Sequence, residues 1–223
     1  MSSKEYFDEV APRWDEMREV FFSEAVREKA IAAANVRPGT LAADIGAGSG
    51  FVTEGLVRKG LRVIAVDQSE AMLSKMRSKL CHVDTIEYRV GSAESLPLDD
   101  ETADYVFANM YLHHVDYPPR AIGEMVRILK PEGRLVITDL DEHVFEFLRT
   151  EQHDRWLGFK REHVRMWLSE AGLSGVATDC VGEDCCAQSA GGKGLASVSI
   201  FVAHGQKPGP AGQVAKDTES GCG

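Results

Sequence analysis

Nine residues, Ala43-Asp44-Ile45-Gly46-Ala47-Gly48-Ser49-Gly50-Phe51, put an acid at the end of an apolar run and glycines at alternate positions behind it. Glycines turn the backbone tightly and let it approach a ligand that any Cβ would hold off. A helix opening after them offers its free N–H groups to an anionic group such as a carboxylate. Dinucleotide loops follow a G-x-G-x-x-G rhythm and seat a pyrophosphate on the helix end. Here the rhythm is G-x-G-x-G, with Phe51 next, and the acid at Asp44 suits a cation better than a pyrophosphate. S-adenosylmethionine carries an ammonium and a sulfonium and no phosphate, so the electrostatics favour it.

A second acid, Asp67, closes the apolar run Val63-Ile64-Ala65-Val66. An acid at a second strand's end, roughly 20 residues past the glycines, can take both hydroxyls of a ribose. Asp67 can equally cap the helix that starts near Ser69, and the two roles are compatible. Gln68 and Met72 follow it into the same site. Gly91-Ser92-Ala93-Glu94, after a third apolar run, is placed to face an adenine ring, although alone it reads as a turn. Asn109 and Met110 follow a fourth run, beside the expected sulfonium. The expected cofactor set is therefore Asp44, Gly46, Ala47, Gly48, Ser49, Gly50, Asp67, Gln68, Met72, Ser92, Ala93, Glu94, Asn109 and Met110.

Methyl transfer from a sulfonium needs a nucleophile aligned about 3–3.5 Å from the carbon, and a base only when a proton must leave. His113 and His114 are the candidates for that base or for a ligand of the acceptor, or else one packs and the other caps a loop. Asp139, Asp141 and His143 follow a fifth apolar run. They can touch the acceptor or bind a metal, or hydrogen-bond a loop and cap the next helix; no metal is assigned to them. His153, Trp156 and Phe159 can wall an acceptor pocket or belong to the core. The segment Asn-Met-Tyr-Leu at 109–112 lacks the Asn-Pro-Pro-Tyr of adenine methyltransferases.

The elements that position these residues alternate along the chain. Residues 4–34 read as one or two helices, with Tyr6, Phe7, Val10, Trp14, Met17, Val20 and Phe21 at helical spacing. Pro38-Gly39 breaks the chain. Strands follow at Leu41–Ile45, Arg62–Val66, Thr85–Val90, Ala103–Ala108 and Arg134–Leu140. Helices are expected at Phe51–Lys59, Glu70–Leu80 and Arg120–Leu129, the last stopped by Lys130-Pro131-Glu132-Gly133. Helical text covers 142–171, divided near Gly158, and Val176–Val181 and Leu195–Ala203 read as closing strands. Such alternation implies a parallel sheet covered by helices on both faces. Tyr6, Phe7 and Trp14 read as a lid over the cofactor or as packing on the sheet's helices. From Gln206 onward, Pro208-Gly209-Pro210 and small polar residues predict a disordered tail.

With 223 residues the chain fits one domain, and its net charge of -10 leaves no broad basic face for nucleic acid. Nothing near the N-terminus reads as a signal peptide, and no apolar run reaches bilayer length, so the expected setting is the cytoplasm, away from membranes. The odd count of five cysteines argues for thiols there. Cys81 and Cys222 look incidental. The sequence is silent on oligomeric state.

Asp44–Gly50, Asp67, Ala93-Glu94-Ser95-Leu96-Pro97 and Ile128-Leu129-Lys130-Pro131-Glu132-Gly133 together resemble class I methyltransferases. The branch is that of the ubiquinone/menaquinone C-methyltransferases and arsenite methyltransferases, over roughly 36–140. Asn109 to His114, Asp139 to His143, Arg155 to Phe159 and Cys185-Cys186 look like methyltransferases found beside corrinoid proteins. The resemblance implies an α/β, Rossmann-like, seven-stranded sheet in order 3-2-1-4-5-7-6 with strand 7 antiparallel. The expected division is a helical lid at 1–35, a methyltransferase domain at 36–205 and a disordered tail at 206–223. If strands 6 and 7 pair that way, their connection, Gly182–Gly194, carries Cys185 and Cys186 to the active face, with Cys180 nearby. Thiolates favour thiophilic centres, whereas cysteine also packs as a small apolar residue.

Three functions follow as expectations. One is methyl transfer to a small-molecule, metal(loid) or corrinoid-linked acceptor. Another is a non-catalytic S-adenosylmethionine-binding partner of a corrinoid or metalloprotein. The third is metalloid methylation through Cys180, Cys185 and Cys186.

Overall fold

The computed structural model describes residues 2–192 and 194–210; the expected tail beyond 210, with Cys222, lies outside the described residues. Three helices open the chain where one or two were expected. α1 (Ser3–Val10) begins at a capping box, in which the Ser2 hydroxyl accepts from the Glu5 N–H and the Glu5 carboxylate accepts from the Ser2 N–H. Pro12, inside a single 3-10 turn at Ala11–Arg13, separates it from α2 (Trp14–Phe21). The Ser23 hydroxyl then caps α3 (Glu24–Ala34).

Strands and helices alternate from there: β1 (Leu41–Ile45), α4 (Phe51–Arg58), β2 (Arg62–Asp67), α5 (Glu70–Lys79), β3 (Ile86–Val90), β4 (Ala103–Asn109), α6 (Pro118–Arg127) and β5 (Leu129–Leu140). α7 (Glu146–Glu151), α8 (Arg161–Glu170), β6 (Ser174–Gln188) and β7 (Leu195–Gln206) complete the chain. The seven strands form one sheet in the order β3-β2-β1-β4-β5-β7-β6. Neighbours among the first five are parallel, and β7 runs antiparallel to both β5 and β6. The expected order and the antiparallel seventh strand are both present.

Alternate strand residues feed two cores, as the two-residue period of a strand requires. Ala43, Ile45, Val106 and Ile137 join Ile122 and Met125 of α6 and Val164 and Leu168 of α8 on one face. Ala42, Val63, Tyr105 and Val136 join Ile31 of α3 and Leu56 of α4 on the other, where α5 adds Leu73 and Met76 against Ala65. The carboxyl ends of β1, β2, β4 and β5 thereby share one edge of the sheet, the edge where ligands of open α/β sheets sit.

Four expectations need correction. α3 packs into the helical layer over the sheet, so only α1 and α2 lie elsewhere within 1–35. The text at 142–171 does form two helices divided around Gly158, but they are shorter than expected, at 146–151 and 161–170; Gly158 itself turns with φ +69 directly against the Asp141 carbonyl. β6 does not stop at Val181: after a bulge between Cys180 and Asp184 it pairs onward through Gln188, with Cys185 opposite Val198. β7 continues through Gln206, and Lys207 exchanges backbone hydrogen bonds with Glu132 and Gly133 where a tail was expected. Among the described residues no helix is long and apolar enough to cross a membrane.

Candidate active site

The loop between β1 and α4 has Gly46, Gly48 and Gly50 all at positive φ, and a methyl group on Gly46 would overlap the ring of Tyr111. This bend aims the Gly48 N–H at Asp67 Oδ2, 2.8 Å away, while the Ser69 N–H donates to Asp67 Oδ1 at 2.8 Å. Burial pushes the Asp67 carboxyl above its usual range, with those two backbone donors pulling the other way. Ser69 caps α5 by accepting from the Met72 N–H, and its hydroxyl donates to Asp8 of α1 at 2.6 Å.

A cleft opens over this loop. Gly46, Ala47, Gly48, Ser49, Asp67, Gln68, Met72, Asn109 and Met110, all expected from the sequence, line it. Lys4, Phe7, Trp14 and Arg18 reach in from α1 and α2, and the Ser49 hydroxyl donates to Asp15 of α2. Met110 holds a left-handed backbone (φ 49), a conformation that non-glycine residues keep only where the surroundings enforce it.

The other expected cofactor residues lie outside this cavity. Ser92 and Glu94 line an adjoining polar cleft that shares Gln68, Lys4 and His114 with it. Ala93 is buried in the core, and Gly50 is the N-cap of α4, its Cα facing Met76. Asp44 is also buried, and its Oδ2 accepts from the Thr53 hydroxyl at 2.6 Å, so it ties β1 to α4 and presents no charge to the cavity.

Burial raises the Asp44 pKa from 3.8 to about 6, against the pull of the Thr53 hydroxyl. A carboxyl that holds its proton more tightly in the folded state gives stability that declines as pH climbs from about 4 through 6. The wild type is expected to lose up to about 3 kcal/mol through this group across that interval. Asp44→Asn removes that decline, which urea unfolding of both proteins at pH 4.5 and pH 7 measures. Parallel pH profiles for the two would assign the decline elsewhere.

A second cavity adjoins the first and shares Phe7, Trp14, Phe22, Met110 and His114 with it. Tyr6, Phe21, Leu140, Leu148 and Ala187 make most of its wall apolar, and its polar groups come from His113, His114, Gln152, Asp154 and Cys185. The Tyr6 hydroxyl donates to Gln152 at 2.6 Å, and the Phe7 ring stands edge-on to both Trp14 and His114.

His113 and His114 occupy one helical turn after β4 yet carry different charges. The Nδ1–H of His113 donates to Asp139 at 2.6 Å, and its Nε2 lies 3.8 Å from Asp154. Burial alone would lower its pKa, but Asp139 and then Asp154 outweigh it and hold the group at about 9, so His113 is an imidazolium. Burial, then the His113 charge, press His114 well below its ordinary value, so it is neutral. Its Nδ1–H donates to the His153 carbonyl at 3.4 Å, which leaves the lone pair on Nε2. His153 itself is held at φ 59. Asp154 is pushed up to about 6 by burial, against the attraction of His113.

Of the remaining expected acceptor residues, Asp139 stands behind His113, wholly buried, and lines neither cavity. Asp141 is bound bidentately by Arg161 and accepts from Ser199, and the His143 Nδ1 accepts from the Phe145 N–H; both are outside the cavities. Strand alternation separates the adjacent cysteines: Cys185 faces the second cavity, whereas Cys186 and Cys180 are exposed. Burial, and then Asp154, push the Cys185 thiol up to about 12, so it enters the cavity uncharged.

Arg18, Gln152 and Asp154 escape sequence reasoning. Each is a single polar residue in helical text, and Asp154 meets His113 from 41 positions away with no shared motif. Arg18 has a weak signal, being a base placed among the α2 aromatics; its guanidinium lies 4.5 Å from the centre of the Phe51 ring.

Comparison with known proteins bears on the fold and the family. Residues 43–137 match the family model described as a methyltransferase domain. A demethylmenaquinone methyltransferase of Thermobifida fusca is 33% identical over 176 residues, which cover 77% of this chain and 69% of that protein. Other curated relatives are matched over less of their length, 61% of one and 36% of another. Among solved structures, the methyltransferase in a Haloferax volcanii complex with the Trm112 activator has a TM-score of 0.73 at 22% identity. That match covers 91% of this chain and 97% of that one. A phosphoethanolamine N-methyltransferase of Haemonchus contortus, solved with S-adenosylhomocysteine, has a TM-score of 0.68 at 16% identity, covering 82% of this chain and 52% of that one.

Proposed function

This chain belongs to the S-adenosylmethionine-dependent methyltransferases of the methyltransferase-domain family, and from that premise we propose that it passes the cofactor's methyl group to a small, largely apolar acceptor in the second cavity. The observation that carries the reading is Asp67. Each of its oxygens is fixed by one backbone N–H, from Gly48 or Ser69, at the wall of the first cavity. A carboxylate accepts about four hydrogen bonds, so one position on each oxygen remains for the two hydroxyls of a ribose. Arg18 and the Ser49 end of the glycine loop suit the cofactor's carboxylate, and the adenine extends past Gln68 toward Ser92 and Glu94.

The methyl carbon then points at the boundary between the cavities, where Met110 and His114 belong to both. Transfer is an in-line displacement: the acceptor's lone pair forms the new bond to carbon as the sulfur leaves as a neutral thioether. Where the acceptor carries a proton, the neutral His114 receives it, and the His113 imidazolium keeps His114 weakly basic and the boundary polarised. α1 and α2 supply Phe7 and Trp14 to both cavities, and we assign them the role of a lid that excludes water.

The aromatic, largely apolar wall of the second cavity favours a free small acceptor over a corrinoid-linked one. Metalloid capture by three thiols has less support, since Cys185 alone of the three faces the cavity. Calorimetry with S-adenosylmethionine, S-adenosylhomocysteine and a nicotinamide dinucleotide tests the cofactor half. Micromolar binding of the first two and none of the third is expected. Release of S-adenosylhomocysteine with small phenols, thiols and amines tests the acceptor half. Cofactor binding without turnover on any of them, together with co-purification of a metalloprotein, favours the non-catalytic partner instead.

A further inference from the structure

The second cavity carries one polar cluster on a wall otherwise lined by residues such as Tyr6, Phe22 and Leu148. Asp154 is buried there beside the imidazoles of His113 and His114, Asp139 is buried behind His113, and Arg149 is a further charged group that acts on Asp154.

We propose that His113, His114 and Asp154 bind a divalent cation, Zn²⁺ by the chemistry of the donors, on the wall of the acceptor cavity. One ligand atom from each residue lies within 4.8 Å of the others. Two imidazoles and a carboxylate are the donor set of open zinc sites, which keep a fourth position for water or substrate. The supports of the ligands are already in place. Asp139 holds His113 by Nδ1, leaving Nε2 toward Asp154, and the His153 carbonyl holds Nδ1 of His114. Imidazole ligands of metals are oriented by such partners on the far ring nitrogen.

The fit needs the ligands to draw together. Tetrahedral zinc with bonds of about 2.0–2.1 Å sets its ligands roughly 3.4 Å apart, against 3.8 Å between His113 Nε2 and Asp154 and separations within 4.8 Å among all three ligand atoms. Asp154 lies in the irregular stretch between α7 and α8 and can move inward without breaking a helix. On binding, the ion would take the Nε2 lone pair of His113, and any proton held there would pass to solvent. The open position would face the same cavity as Cys185 and the aromatic wall, where the metal would lower the pKa of a coordinated acceptor hydroxyl or thiol so that it loses its proton to solvent water before transfer. In that state His114 serves as a ligand. This role rests on the methyl-transfer reading; occupancy of the site does not.

The test uses the full chain, stripped with a chelator and titrated with Co²⁺ and then Zn²⁺ without cofactor. One ion per chain is expected, with the visible absorption of tetrahedral Co²⁺ quenched by Zn²⁺ and a rise in melting temperature. His114→Gln and Asp154→Asn are each expected to weaken Zn²⁺ binding by about tenfold or more, and Cys186→Ser, on the outer face, to leave it unchanged. Circular dichroism confirms that each variant is folded. Folded wild type that takes up no ion overturns the proposal. So does binding that neither cavity variant moves, or that only Cys186→Ser moves. Because the titration contains no S-adenosylmethionine, failure here leaves the cofactor reading standing, and the reverse also holds.

Discussion

Asp67→Ala is expected to weaken S-adenosylmethionine binding by a hundredfold or more while the protein stays folded. The two free acceptor positions of this carboxylate are assigned to the ribose hydroxyls, and hydrogen bonds to a charged group are worth about 1.5–3 kcal/mol each. Losing both removes roughly 3–6 kcal/mol, and each 1.4 kcal/mol is a factor of ten. The side chain also receives the N–H groups of Gly48 and Ser69, so the substitution frees two donors. Both border an open cavity where water can accept from them. The stability loss is therefore expected to stay near 1 kcal/mol, far below the effect on affinity. Asp67→Asn separates the two contributions: it keeps one acceptor oxygen but turns an amide toward one of the backbone donors, and its affinity should be intermediate. Calorimetric titration of the three proteins, beside their urea unfolding curves, makes the comparison. An Asp67→Ala protein that binds S-adenosylmethionine within about threefold of wild type would remove the ribose from this carboxylate and the cofactor from this cavity.

The first half of the site was legible because its residues are local. Gly46, Gly48 and Gly50 sit between an apolar run and a helix, and Asp67 closes the next run, so the two periodicities that reveal strand and helix also locate the loop and the acid. The same locality misleads at Asp44. Its position before the loop is that of a cavity acid, yet it is the penultimate residue of β1, where the pleat turns it toward Thr53. Nothing in a linear reading gives the order of the strands; that came from the resemblance.

The second half was illegible for a related reason. Val181-Gly182-Glu183-Asp184-Cys185-Cys186 has no alternation of apolar and polar residues, so it reads as a loop. It is a strand because β7 offers it a partner across a bulge, a tertiary fact. That strand aims Cys185 inward and Cys186 outward, and no inspection of an adjacent pair predicts which. Asp154 likewise acquires its role only when the stretch after α7 folds back on His113; the backbone N–H groups of Arg155 and Trp156 both donate to the His113 carbonyl. His113 and His114 were visible as a pair, but the different charge states of these adjacent imidazoles arise from burial, which keeps His114 neutral, and from carboxylates 26 and 41 positions from His113, which hold its proton.

Asp139→Ala puts that buried arrangement to its severest test, and about 3–5 kcal/mol of stability is expected to go with it. Asp139 is fully enclosed and accepts from His113 Nδ1 at 2.6 Å, from the Leu140 N–H at 2.7 Å and from the His113 N–H at 3.3 Å. Removing one partner of a buried pair costs about that much, since the other charge is left uncompensated and the orphaned donors have no water to turn to. One effect opposes this. Without Asp139, burial favours the neutral form of His113, which shrinks the electrostatic part of the loss but leaves the unmatched N–H groups. Asp139→Asn keeps an acceptor for Nδ1–H and removes only the charge, so it should fall between the two. Replacing His113 and Asp139 together by leucines should cost less than the sum of the single substitutions, because buried ion pairs exchange for apolar side chains nearly evenly. Chemical unfolding of these variants in the presence of a chelator gives the coupling energy directly. Simple additivity, or a single-variant loss under about 1 kcal/mol, would make Asp139 a bystander and leave the orientation of the His113 ring without a cause.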